Sequence, residues 1–135
     1  MNASRLSMFC FGTAVGWTVL QCAIVAPILS NKLDKEGFKK TIRPIWAKFY
    51  GGLLVIEAVN TAASHQGSQN AASIPFYVAA ASTVICATCI FLIPVMNEAS
   101  DSTGIEARKT FSRLHHVSVG GTAVLLLGNI VALFV

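Results

Sequence analysis

The sequence predicts an all-α fold: a single domain over residues 1–135 in which four transmembrane helices run up and down, both termini on the non-cytoplasmic side. Three observations lead there. The chain is 54% hydrophobic and only 12% charged, whereas a soluble domain carries about a quarter charged residues. Its apolar residues gather into four runs of about 20, the length that crosses a bilayer core. Nine of its ten Lys and Arg residues, counting Lys48, border or fill the segments between the first and second runs and between the third and fourth. By the positive-inside rule those segments face the cytoplasm, or the matrix or stroma of an organelle. The expected address is a bacterial inner membrane or an organellar membrane.

The first span is expected at about residues 6–29. Its apolar core is too long for a signal-peptide h-region, so it should be retained. Pro27 falls in its last turn, and a basic loop follows from Ser30 to Arg43, where Phe38 could dock on the membrane surface. The second span covers about 45–64, with Pro44 in its first turn, where a missing N–H costs nothing. Lys48 can snorkel to the interface. A short turn without Lys or Arg runs from His65 to Ala72. The third span covers about 73–95, with Ser73 as N-cap and Pro94 at its end. Thr103-Gly-Ile-Glu106 matches a capping box, so the fourth helix should begin near Gly104 and cover about 105–135. No polar segment is long enough to form a soluble domain. The net charge of +4 is a topology signal rather than a nucleic-acid footprint.

Within the spans, small residues mark helix packing. Gly12-xxx-Gly16 and Gly128-xxx-Ala132 are small-xxx-small pairs, and Gly51, Gly52 and Gly121 add flat surface. Polar residues recur at helical spacing: Tyr50, Glu57, Thr61 and Ser64 in the second span, and His115, Ser118, Thr122 and Asn129 in the fourth. Such stripes should face the interior, because lipid cannot satisfy them. Thr13, Trp17 and Gln21 form a shorter set in the first span, and Ser82, Cys86 and Cys89 another in the third. At 1.5 Å per residue, Glu57 lies about 18 Å from the basic edge, level with Trp17, Ser82 and Thr122. An acid at that depth with no cation beside it is either a neutral hydrogen-bonding group or a proton-handling or ligand-anchoring one.

Glu57 and His115 are the candidate catalytic residues. The interior stripe Tyr50, Glu57, Thr61, His115, Ser118 and Thr122 is the candidate ligand surface. Lys39, Lys40, Arg43, Arg108 and Lys109 are candidate lipid head-group contacts. His65 lies a membrane thickness from His115 and His116, so no metal or bis-His haem site is expected. Cys86-Ala-Thr-Cys89 has redox spacing, but within a span its thiols read as packing groups. No cofactor is expected; a bound lipid fits the basic rim.

The segment Phe111-Ser-Arg-Leu-His-His-Val-Ser118 resembles the Phe-x-x-Leu-His-x-x-Ser signature of the transmembrane protein 205-like domain family. Gly16-Trp17, Pro44-Ile-Trp-Ala-Lys-Phe-Tyr50 and Pro94-Val-Met-Asn97 are similar to it in order and spacing. That resemblance implies a small four-helix membrane protein and brings no mechanism. Thr122 stands where the family often has Asn. The outline also resembles the anthrone oxygenase-like membrane proteins, which implies an enzyme without metal or flavin; Ser118 stands where their last helix usually carries Arg.

Three functions follow as expectations. The leading one is a non-enzymatic accessory or scaffold subunit of a larger membrane assembly, with membrane lipids and other membrane subunits as partners and no nucleic acid. The others are a cofactor-free oxygenase-like enzyme on a hydrophobic substrate and a lipid- or quinone-binding module.

Overall fold

The computed structural model describes residues 2–67 and 73–135, and among them every regular element is helical. Helix α1 covers Ala3–Val19, and Asn2 caps it by accepting from the Arg5 N–H at 3.0 Å. A π-helical stretch, Leu20–Val25, joins it to α2, Ala26–Lys32. Helix α3 is Lys35–Gly67, α4 is Ile74–Asp101 and α5 is Ile105–Ala132. The π stretch has a covalent cause. Pro27 has no N–H and its ring crowds the carbonyl four residues back, so the preceding turn widens, and the Ala26 N–H reaches Gln21 O instead.

Among the described residues, three helices are long and apolar enough to cross a membrane: Ala3–Lys32 as one continuous rod, α4 and α5. Helix α3, the second of the four expected spans, is not apolar enough by the same measure, because Lys48, Glu57 and Asn60 interrupt its apolar stretch. Helix α3 packs against both α1 and α4, and α5 packs against α4 and α1. One core cluster joins Ala14, Phe49, Tyr50, Leu53, Cys86 and Leu125; a second, near the chain termini, joins Phe11, Ala79 and Ala132.

The helices outrun the expected spans, and the connections shrink. Most of the expected 30–43 loop is helix: α3 starts at Lys35, where the Asp34 side chain accepts from the Gly37 N–H at 3.2 Å and its carbonyl from the Phe38 N–H. Pro44 therefore lies inside α3 rather than in its first turn, and Pro94 lies inside α4 rather than at its end. Both prolines stand on exposed faces, so the carbonyl each leaves unpaired is not sealed into the packed interior. Helix α4 continues to Asp101 because Arg43 holds its tip through a two-point ion pair with Asp101, at 2.5 and 2.9 Å. The Thr103 capping box does not form. Gly104 is the N-cap at φ 137°, a conformation suited to glycine, and α5 has no side-chain cap. Ser73 is the N-cap of α4, without a side-chain bond. Of the expected 65–72 turn, His65–Gly67 continue α3; residues 68–72 lie outside the described residues.

The glycines divide. A Cβ on Gly52 would meet the Trp17 ring at 3.2 Å, on Gly121 the Ile85 side chain at 3.2 Å, and on Gly128 Val78 at 3.3 Å. Those three lie close against a side chain of a neighbouring helix. Gly12, Gly16 and Gly51 meet nothing within 4 Å, so they do not serve internal packing. Gly52→Leu should therefore lower stability by about 1–3 kcal/mol through overpacking, while Gly51→Leu should raise it by about 0.5–1 kcal/mol, since nothing meets the new Cβ and glycine is a poor helix former. Thermal melts of both variants in one detergent check this.

Candidate functional site

One face of α3 organises the site. Residues at i, i+3 and i+4 spacing share a helix face, and this one runs Lys35, Phe38, Lys39, Ile42, Arg43 and Trp46 to Tyr50. It forms one wall of a cavity of about 1050 Å³. Ala26, Pro27 and Ser30 of α2 flank it on one side, and Val119, Ala123 and Leu126 of α5 on the other. Ile93, Met96 and Asn97 of α4 add to the wall. The cavity grades from charged to apolar: Lys35, Lys39, Arg43 and Arg108 stand at the end where the α2–α3 and α4–α5 connections meet. Trp46 follows, 5.6 Å from Tyr50 in a stacked pair and 5.2 Å edge-on to Phe49.

At the inner end the Tyr50 hydroxyl meets Thr122 Oγ1 at 2.8 Å and Ser118 Oγ at 3.1 Å, and Ser118 donates to Cys89 Sγ at 3.6 Å. Thr122 also donates to Ser118 O, one turn back on its own helix. Thr18 lines this end too, and its buried hydroxyl has no partner among the described residues. His115 lines the cavity but is exposed rather than interior, with its ring stacked on Phe111 at 5.7 Å.

A second polar centre lies nearer the chain termini. Glu57 is fully buried, and Asn129 Nδ2 donates to its Oε1 at 2.6 Å. Asn60, also fully buried, accepts from Ser7 at 2.8 Å and from Ser64 at 3.4 Å. Glu57 Oε2, Asn129 Oδ1 and Asn60 Nδ2 have no partner among the described residues. Thr61 stands at the margin: its hydroxyl donates to Glu57 O and meets Thr83.

Sequence reasoning placed Glu57 and Thr122 at one depth, and the structure separates them. Thr122 pairs with Tyr50, and Glu57 pairs with Asn129, seven residues or about 10 Å farther along α5. Trp17 also belongs to the Tyr50 level, donating to Phe49 O at 3.3 Å. Helices α3 and α5 begin nearly level: thirteen residues of α5, about 20 Å, precede Ser118, and fifteen of α3, about 23 Å, precede Tyr50, so it is their apolar edges that are offset. Glu57 does not line the cavity and His115 does, so the two catalytic candidates share no site. Asn60 was missed, although its 3 and 4 spacing from Glu57 and Ser64 was legible. On α1 the buried polar residues are Ser7 and Thr18, and Gln21 is buried in the π-helical stretch that follows, while Trp17 is 43% exposed and Thr13 turns back to Phe9 O.

Of the expected head-group contacts, Lys39, Arg43 and Arg108 line the cavity; Lys40 and Lys109 do not, and Lys35 joins the set. Lys109 is instead paired with Glu106 at 2.9 Å. Among the described residues, no three His, Cys, Asp or Glu side chains gather as metal ligands would.

Comparison with known proteins returned no similar curated protein and no similar solved structure. Neither the transmembrane protein 205-like nor the anthrone oxygenase-like family was among the matches, and the Phe111–Ser118 segment lies beyond the region that does match. That region is residues 9–104, most of the chain and everything from mid-α1 to the start of α5, and it matches a family model described as a domain of unknown function. This membrane-type helical chain belongs to the DUF4149 family.

Proposed function

We propose that the protein is a four-span integral membrane protein that holds a lipid-like amphiphile in the cavity at its basic end. The cavity carries this reading: about 1050 Å³ is at the upper end of the roughly 300–1000 Å³ typical of ligand sites. Its graded wall suits a molecule with a polar head and an apolar body.

The inward turn of α3's polar residues supports it as the remaining span. Glu57, Asn60 and Ser64 are buried, whereas Val55 and Val59 are exposed. Glu57 and Asn60, which lower its hydropathy at mid-helix, are therefore not residues lipid would meet, and the exposed Lys48 lies near enough to the basic end to snorkel. The positive-inside rule then orients the basic end to the cytoplasm, matrix or stroma and both termini to the other side.

Native mass spectrometry of the protein from its own membrane in mild detergent tests the reading. The 14.3 kDa chain should carry one retained amphiphile. Ala123→Trp and Ala26→Trp, which fill the cavity from opposite walls, should cut retention at least about ten-fold without unfolding the helices. Wild-type protein that retains nothing, or variants that retain as much as wild type, would overturn it. The assembly-subunit reading draws on the outward-facing Gly12 and Gly16, and the same spectrum reports it: stoichiometric companions support it, and their absence removes it.

A further inference from the structure

We infer that the occupant is an anionic phospholipid whose phosphate sits among Lys35, Lys39, Arg43 and Arg108. The inference rests on the cavity reading above and adds the charge of the ligand. The cavity wall contains four Lys or Arg residues and no Asp or Glu. Lys35, Lys39 and Arg43 repeat every four residues, so α3 aims three cations along one face. Arg108 comes from the first turn of α5.

Two of these cations are held in position by the fold. Arg43 is clamped by Asp101 and reaches Asn97 O at 3.5 Å, while Lys39 donates to Ser100 O at 3.0 Å. The Asp101 carboxylate offsets one of the four charges. Lys35 and Arg108 have no ion-pair partner among the described residues. Like charges gathered at one mouth repel, and an anion placed between them relieves that repulsion. Guanidinium and ammonium groups are the side chains that suit phosphate oxygens.

The remaining wall selects for acyl chains. Beyond the cations come Phe38, Ile42, Trp46, Ile93, Met96 and Leu126, an apolar surface continuous with the charged mouth. A free phosphate would leave that surface empty, an uncharged lipid would leave the cations unpaired, and a zwitterionic one would bring its own ammonium among them. The site is at the end of the apolar helices, where a phospholipid head group would lie if those helices span the bilayer.

The test is competitive retention of phosphatidylglycerol, phosphatidylcholine and oleate by purified full-length protein, read by native mass spectrometry. Phosphatidylglycerol should be retained about ten- to thirty-fold over phosphatidylcholine, the preference expected from the two basic residues, Lys35 and Arg108, whose side chains make no bond within the described residues. It should also exceed oleate, whose carboxylate is the alternative anion. The K35Q/R108Q variant should retain phosphatidylcholine as wild type does and lose most of the preference for phosphatidylglycerol, Lys39 alone remaining without an ion pair. Lys35 and Arg108 are chosen because neither holds the α3–α4 tips together.

Equal retention of phosphatidylglycerol and phosphatidylcholine would overturn the anionic-lipid inference and leave the cavity reading standing. A preference that survives K35Q/R108Q largely intact would overturn the assignment to these cations, and a preference for oleate would overturn the phosphate. Failure to retain any amphiphile would sink both readings together.

Discussion

Tyr50→Ala is expected to destabilise the protein by about 3–5 kcal/mol, the range for truncating a buried aromatic. Tyr50 is 4% exposed and packs with Phe49, Leu53, Cys86 and Leu125 where α1, α3, α4 and α5 meet. The loss comes from the void. Apolar burial between helices is a weak driving force in lipid, but missing packing contacts cost there as elsewhere. Tyr50→Phe keeps the ring and removes only the hydroxyl bonded to Ser118 and Thr122. Thr122 retains its bond to Ser118 O, so this variant should lose only about 1 kcal/mol. Unfolding titrations of the two variants check the contrast. Equal losses would mean that the hydroxyl network, and not the ring, holds the core.

Asn129→Leu is the second large effect, expected at about 1–3 kcal/mol. It strips Glu57 of the amide that reaches its Oε1 at 2.6 Å, at a site where both residues are fully buried. A buried carboxyl left without its partner costs more than the bond was worth when made. Removing both groups takes the orphan away, so E57L/N129L should recover much of the loss. A double-mutant cycle on unfolding free energies reads the coupling. Glu57→Gln keeps an oxygen in place to accept from Asn129 and should stay near wild type. A single-variant cost that the double variant does not recover would show that the pair is not a unit.

The buried polar faces of α3 and α5 were legible in the residues. Tyr50, Glu57 and Ser64 on α3, and Ser118, Thr122 and Asn129 on α5, are buried as their spacing implied. Periodicity reports faces well because a helix repeats every 3.6 residues whatever surrounds it. Which residue meets which was not legible. Depth counted from a span edge assumes that the apolar edges of the helices are level, and the pairing of Tyr50 with Ser118 and Thr122 shows that those of α3 and α5 are offset. The pairing of Glu57 with Asn129 follows from that offset. Gly12-xxx-Gly16 likewise matches a packing motif, yet faces outward; a motif names a surface and not what lies against it.

Composition and charge placement by themselves determined an all-helical, membrane-type chain, because length, hydropathy and helical period are local properties of the sequence. They also singled out the basic residues at one end. Only the tertiary structure decided that α3 runs unbroken through Pro44, that Lys35, Lys39, Arg43 and Arg108 face a common cavity, and that His115 and Glu57 belong to different sites. Those outcomes depend on helix offset and on the Pro27-widened turn that carries α2 into the cavity wall. Both are properties of packed helices, and no single segment of the sequence encodes them.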